Sequence, residues 1–302
     1  MKQIKPIEAG DKYKSLTSLN GTEYELLLSV FDKRVKEKQK HYTLKGKRRV
    51  RIVHQEQRNS SLYGSRQKLE FVLIYLKENP NQCVYGHFYG MSQGKVSEWL
   101  SFLLPVLEDS LYKLGFTAKY GLEYKHKLFD EEYLMGDVVE RSVPRRSCHE
   151  AQKVEYSGKK GYHTIKHFGL CDTTNYIHFL SPSYEGSVHD KTIWDELDLE
   201  TAGQNLLMDL GFLGAETGRL DVILPFKKPK NGQLNTVQKQ LNQALNSLRV
   251  KIEHAFAGVK RLKIIRNKIR LKGYDRREIV MKIAVALHNL STTLRKPLAF
   301  QS

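Results

Sequence analysis

The chain has 302 residues, 40% of them apolar, and a formal net charge of +17. That apolar share supports one large or two modest cores and excludes wholesale disorder, while an isoelectric point near 9.6 points to a polyanionic partner, most commonly nucleic acid. Cys83, Cys148 and Cys171 lie far apart, which excludes a zinc cluster or a disulfide framework and fits a reducing compartment.

The N-terminus has no apolar run that reads as a signal peptide, and no window reaches membrane-helix length. The expectation is a soluble, cytoplasmic protein with no membrane partner. Up to about Gly115 the pattern is helical. The stretch 19–38 sets Leu19, Tyr24, Leu27, Leu28 and Phe31 on one face, with Asn20 or Thr22 as N-cap. Residues 41–65 are basic and interrupted by Gly46 and Gly64, and read as a mobile or DNA-touching connector. An amphipathic helix over 66–80 stops at Asn79-Pro80. A short helix over 81–90 closes at Gly90, and Ser92 caps the next. Helix, tight turn and helix form a helix-turn-helix pattern, whose second helix would enter the major groove with Gln93, Lys95 and Ser97 in its first turns. Ordinary helical hairpins share this pattern.

From about Phe116 the pattern changes to strands: 132–139, 162–171 and 176–180, with a turn at Thr173-Thr174-Asn175. A helix over 189–197, strands over 205–210 and 221–226, one or two basic helices over 235–271 and a last amphipathic helix over 275–295 follow. The predicted organisation is a helical region, 1–115, holding a helix-turn-helix domain at about 66–112, and an α/β domain, 116–302.

Phosphodiester chemistry commonly uses two divalent ions held by carboxylates on rigid elements. Asp137 closes an apolar strand and is expected at its C-terminal end. Asp209 closes Leu206-Leu207-Met208 and precedes Leu210-Gly211-Phe212. Glu253 is the only acid between Arg249 and Lys272 in a basic helix; a salt bridge to Arg249 is its ordinary alternative role.

The stretch 156–196, with Tyr156-Ser157-Gly158-Lys159-Lys160 and Leu180-Ser181-Pro182-Ser183 running on to Gly186-Ser187-Val188-His189-Asp190, resembles the DDE transposases of bacterial insertion sequences. It is most similar to the family-five branch related to Harbinger transposases, and the likeness covers about 66–295. The resemblance implies a ribonuclease-H-like α/β catalytic domain behind a helix-turn-helix. It matches Asp137, Asp209 and Glu253 to the catalytic and metal-binding triad, with two Mg²⁺ (or Mn²⁺) ions. Arg249, Glu253 and Lys260 match a helical Tyr-x2-Arg-x3-Glu-x6-Lys signature, whereas Asn246 stands at the Tyr position, and Val138-Val139 replaces the usual Gly-Thr after the first Asp.

Arg249 and Lys260 are expected to hold phosphates beside Glu253, and Lys159, Lys160 and Lys166 to grip DNA backbone. His163 and Asp190 are expected to support the site from behind its ligands, although Asp190 at a helix start is most simply a cap. The function implied is cut-and-paste transposition: binding of the element's terminal inverted repeats, metal-dependent end cleavage and strand transfer into target DNA, by a dimer or larger assembly on double-stranded DNA. The alternatives are an inactive, domesticated DNA-binding protein and a nuclease without strand transfer.

Overall fold

The computed structural model describes residues 11–57, 59–124, 133–199, 205–214 and 221–295; the strand start expected at Glu132 lies outside them. In chain order the elements are α1 (Asp11–Thr17), α2 (Gly21–His41), α3 (Gly64–Glu78), α4 (Gln82–Phe88), α5 (Gln93–Lys113), β1 (Lys119–Tyr120), β2 (Glu123–Tyr124) and β3 (Tyr133–Ser142). Then come α6 (His149–Glu155), β4 (Tyr156–Ser157), β5 (Tyr162–Cys171), β6 (Ile177–Leu180), β7 (Tyr184–Glu185), α7 (Asp190–Glu196), β8 (Asp198–Leu199) and β9 (Asn205–Leu207). A 3-10 turn (Leu210–Phe212), β10 (Asp221–Ile223), α8 (Thr236–Val259), α9 (Lys263–Arg266) and α10 (Tyr274–Arg295) complete the order. Two compact units result, one of residues 1–117 with 260–302, the other of residues 118–259.

Local chemistry sets the helix ends of the first unit. Asn20 accepts the Glu23 N–H while the Glu23 carboxylate accepts the Asn20 N–H, both at 2.9 Å, so Asn20 is the cap and Thr22 lies inside α2. Asn79 ends α3 in a left-handed conformation (φ 49°) ahead of Pro80. Asn81 caps α4, and Ser92 caps α5 by accepting the Lys95 N–H. The buried stripe Tyr24, Leu27, Phe31 and Val35 of α2 packs on α3 and α5.

Glu23 is fully buried, and a buried carboxylate needs partners. Arg295 of α10 supplies them through Nε at 2.5 Å and Nη2 at 2.8 Å, and Ser291 Oγ donates at 3.3 Å. One pair thus ties the last helix to the first long one. The sequence suggests a single division near residue 115, with everything later in the α/β domain. In the structure, residues 260–302 group with the N-terminal helices, because α9 packs on α3, and α10 on α5 and α2.

The second unit is built on a mixed sheet of order β1-β6-β5-β3-β9-β10, with β4 and β7 also paired to β5. β5 runs antiparallel to both β3 and β6, whereas β9 and β10 continue parallel to β3. This mixed α/β architecture is consistent with the ribonuclease-H-like expectation. β2 and β8 form a separate parallel pair. The hairpin turn between β5 and β6 follows the expected Thr173-Thr174-Asn175, with Asn175 left-handed and the Asp172 carboxylate accepting the Thr174 and Tyr176 N–H groups.

Strand alternation puts Leu134, Gly136 and Val138 on one face of β3, and Met135, Asp137 and Val139 on the other. The first face carries a core of Leu134, Phe168, Leu170, Leu206, Met208 and Phe212, closed by Ile193 and Trp194 of α7. Phe168 is its hub, with ring centroids 5.6 Å from Trp194, 5.9 Å from Phe212 and 6.5 Å from Phe179. Gly136 makes room for it, since a Cβ there would sit 2.8 Å from the ring. The second face is covered by α8, which packs on β3, β5 and β9. No helix among the described residues is long and apolar enough to cross a membrane.

Phe168→Ala should therefore destabilise the chain by about 3–5 kcal/mol, read as a thermal midpoint lowered by roughly ten degrees. A shift within about two degrees would show that this ring is not the hub of the sheet's core.

Candidate functional site

Register decides where the acidic side chains go. β3 and β9 pair in parallel as far as Met135↔Leu207, and each strand carries an aspartate two residues further on, Asp137 and Asp209. β9 stops there, while β3 continues to Ser142 paired with β5 alone. Asp137 therefore does not end its strand, as the apolar run suggests. The β-branched Val138 and Val139 keep β3 extended opposite Phe168 and His167, and Asp137 stands at an end only with respect to β9.

Asp209 turns the chain. It is the N-cap of the 3-10 turn, its Oδ1 accepting the Gly211 N–H at 2.7 Å. A Cβ at position 211 would lie 2.8 Å from that same Oδ1 and 3.7 Å from Asp190 Oδ2. The Asp-x-Gly spacing thus has a steric reason, and the Asp190 and Asp209 carboxylates flank one point.

Asp190 is the first residue of α7, and the cap position falls on His189, whose side chain makes no capping bond. The Asp190 carboxylate instead takes the Lys166 amine at 3.0 Å, which also donates to Val188 O at 2.7 Å. Lys166 is buried, so its charge is satisfied inside the unit rather than offered to DNA backbone. The expected cap is an ion-pair partner, and the expected DNA-gripping lysine is its counter-ion.

Burial lifts the Asp137 carboxyl to about 6, and the negative charges of Asp209 and Asp190 add to the lift. The Val138 N–H, which donates to Asp137 Oδ1 at 2.7 Å, and the Arg249 guanidinium act in the opposite direction. Asp137 on β3 therefore feels the charges of the carboxylates at the end of β9 and at the start of α7.

α8 reaches Asp137's face of the sheet through a gap at Gly169, its ladder partner: a Cβ there would come within 2.9 Å of the Phe256 ring. Ile252 and Phe256 are buried, and Arg249 lies two turns before Phe256 on the same helical face. Arg249 Nη1 donates to Asn246 Oδ1 at 3.2 Å, and its Nε is buried without a hydrogen-bond partner. Asn246, the departure from the tyrosine of the signature, is thus the side chain that Arg249 holds. Glu253 is exposed and makes no ion pair with Arg249.

Among the described residues, no three His, Cys, Asp or Glu side chains are grouped closely enough to hold a metal ion. The charges of Asp209 and Asp190 reach Asp137, while Glu253 is an exposed side chain of α8 one turn beyond Arg249. The donor chemistry nevertheless fits a hard divalent cation, since all the donors are carboxylate oxygens. A cation between Asp137 and Asp209 would also offset the burial, and the lesser repulsion from Asp209, that raise Asp137.

The other expected DNA-binding and supporting residues are dispersed. α8 ends at Val259, so Lys260 falls in the turn beyond it, among residues of the helical unit, and not on Glu253's helical face. Lys159 and Lys160 are exposed in the turn between β4 and β5. His163, whose ring meets Tyr156 edge-on at 5.7 Å, is six positions along β5 from Gly169, which is about 20 Å at strand rise. It is not brought to the carboxylates. In the helical unit Gln93 is exposed and accepts the Cys83 thiol, Lys95 pairs with Glu98 at 3.2 Å, and Ser97 accepts Arg276 Nη1 at 3.3 Å. Sequence reasoning missed Gly169 and the place of Asp190 beside Asp209. The only local signal for the latter was an aspartate in the first turn of a helix, which is also what a cap looks like.

The family described as DDE superfamily endonuclease matches residues 137–289, beginning at Asp137 itself. The chain is also similar to the probable transposase for insertion sequence element IS702 of Microchaete diplosiphon, at 26% identity over 233 residues, covering 73% of this chain and 81% of that protein. No solved structure matches the chain.

Gly211→Ala is expected to leave the thermal midpoint nearly unchanged, because the residue is exposed. By displacing the Asp209 carboxylate it should weaken Mn²⁺ binding, measured by calorimetry, and DNA cleavage by about tenfold or more. Wild-type values for both would mean that the orientation of Asp209 is not used.

Proposed function

The chain belongs to the DDE superfamily of endonucleases, and from that premise we propose that it is an insertion-sequence DNA transposase of the family-five, Harbinger-related branch. Its catalytic core is a ribonuclease-H-like domain, and α4 and α5, joined through Gly90-Met91-Ser92, act as a helix-turn-helix that reads the terminal inverted repeats of the element. The observation that carries this reading is the register Met135↔Leu207, which sets Asp137 and Asp209 side by side where the family match begins. The similarity to an insertion-sequence transposase and the charge of +17 support DNA as the substrate. The enzyme would work inside the cell on chromosomal or plasmid DNA, as a dimer or larger assembly that holds two ends together.

Endonucleases of this superfamily use divalent metal ions. Asp137 and Asp209 are the residues that would hold Mg²⁺ or Mn²⁺, with Glu253 completing the set from α8. When bound, two such ions supply activation of the attacking oxygen and stabilisation of the leaving one. The chain's own residues do the rest. The rigid β3–β9 pair fixes the spacing of the two aspartates, Lys166 holds Asp190 behind them, and the unpartnered Nε of Arg249 offers a donor to a phosphate oxygen beside the cut. Water as nucleophile gives end cleavage, and a freed 3′ hydroxyl in the same place gives strand transfer. Two departures from the family pattern favour a second reading, a DNA-binding protein without catalysis: Asn246 at the tyrosine position and Val138-Val139 after the first aspartate.

Asp137→Asn, Asp209→Asn and Glu253→Gln are each expected to reduce Mg²⁺-dependent cleavage of duplexes from the DNA flanking the gene by at least about a thousandfold, with end binding retained. Normal cleavage by all three variants would sink the assignment. Binding without cleavage by the wild type would favour the inactive protein, and cleavage without joined products a plain nuclease.

A further inference from the structure

The connector between α2 and α3 holds the densest positive charge in the chain. No acid lies between Glu37 and Glu56, and Lys45, Lys47, Arg48, Arg49 and Arg51 are packed together. Sequence alone reads it as mobile or DNA-touching, yet it is folded. A Tyr42↔Arg48 bridge closes a small hairpin, with the Thr43 N–H donating to Lys47 O at 2.8 Å and the Gly46 N–H to Thr43 O at 2.9 Å. Gly46 turns the tip at φ +78°, which a side chain would resist.

Arg49 anchors the near end. Its N–H donates to His41 O at 2.7 Å, and its Nε to Gln39 O and Tyr42 O at 3.0 and 3.1 Å. A cation at the end of α2 also suits the helix dipole. Glu56 anchors the far end, its two oxygens accepting the fully buried Lys68 amine at 2.5 Å and the Gly64 N–H at 2.9 Å. Ser61 Oγ completes the tie by accepting the Trp99 indole N–H at 3.0 Å.

Between these anchors Lys47, Arg48 and Arg51 are exposed and make no ion pair among the described residues, and Val50 protrudes wholly into solvent (102% exposed). Lys45 reaches only to 3.8 Å from Glu98 of α5. An open groove runs between the hairpin and the start of α5, lined by Leu44, Arg49, Met91, Ser92 and Lys95.

We propose that this hairpin is a second DNA-binding element, an arm that grips the phosphate backbone of double-stranded DNA next to the base pairs addressed by α5. The proposal rests on the reading of α5 as a DNA-binding helix. Three cations fixed outward with no internal counter-ion repel one another, and a duplex backbone alongside relieves that repulsion. The hairpin that carries them lies beside the first turns of α5, with Leu44 and Arg49 lining one groove with Ser92 and Lys95 and with Lys45 3.8 Å from Glu98, which gives the pairing of groove-reading helix and flanking arm that fixes a protein's register on a duplex.

The test is the triple variant Lys47→Ala, Arg48→Ala, Arg51→Ala in the full chain, titrated against a duplex from the DNA flanking the gene and against a scrambled duplex over a range of salt. The expected result is an affinity lower by about tenfold or more on both duplexes at low salt. The slope of log Kd against log salt should be shallower by about 0.9 for each phosphate that the variant no longer neutralises, with the thermal midpoint unchanged. Wild-type affinity and slope in the variant overturn the arm and leave the transposase reading intact. Weakening confined to the flanking-DNA duplex overturns it as well, since that would mark base reading. Failure of the wild-type chain to bind either duplex overturns both readings.

Discussion

Everything proposed for the second unit depends on one pairing, the parallel ladder of β3 and β9. Parallel neighbours keep residues of equal count at equal height, so two aspartates placed two residues beyond Met135 and Leu207 arrive together. Such a meeting is unfavourable on its own, and it adds to the burial that lifts the Asp137 carboxyl to about 6. What holds it is the opposite face of the same strands, where Leu134, Leu206 and Met208 pack with Phe168 and Trp194. The apolar face supplies stability that the acidic face consumes. Three glycines permit the arrangement: Gly136 admits the Phe168 ring, Gly169 admits Phe256 of α8, and Gly211 admits the Asp209 carboxylate itself.

What the sequence makes legible is the chemistry that acts over a few residues. The Asn20, Asn79 and Ser92 boundaries, the turn at Asn175, and β5 over Tyr162–Cys171 can all be read from caps, turn formers and alternation. The strand expected over 205–210 is shorter in the structure because Asp209 caps a 3-10 turn and so leaves the ladder. What is not legible depends on partners distant in the chain. The middle position of Asp137 in β3 follows from pairing with β5 beyond the end of β9. The inward turn of Lys166 follows from Asp190, and the grouping of α10 with the N-terminal helices from Arg295 meeting a carboxylate at Glu23. A lysine in a basic hairpin reads as solvent-facing until its counter-ion is located.

The family match spans all three residues of the expected triad, whereas the geometry treats them unequally. Asp137 and Asp209 are joined by register, whereas Glu253 depends on how α8 lies on the sheet. Its neighbour Arg249 is held by Asn246 where the related signature has tyrosine. The side chain that departs from the pattern is thus the one that accepts a hydrogen bond from the arginine one turn before Glu253. That substitution and the exposed position of Glu253 belong to the same turn-by-turn face of α8.

The buried Lys68–Glu56 pair has a consequence for the arm that Glu56 anchors. Releasing that segment would leave an ammonium group without its counter-charge inside the helical unit, a penalty on the order of 3–5 kcal/mol. The far end of the connector is therefore held to the helical unit, while the hairpin is held at its near end by Arg49. The conformational entropy of shaping it is given up when the chain folds rather than when it meets a ligand. A disordered tail of equal charge would surrender that entropy at each encounter. Burying one amine thus helps hold the backbone that carries several others in a folded geometry before any encounter.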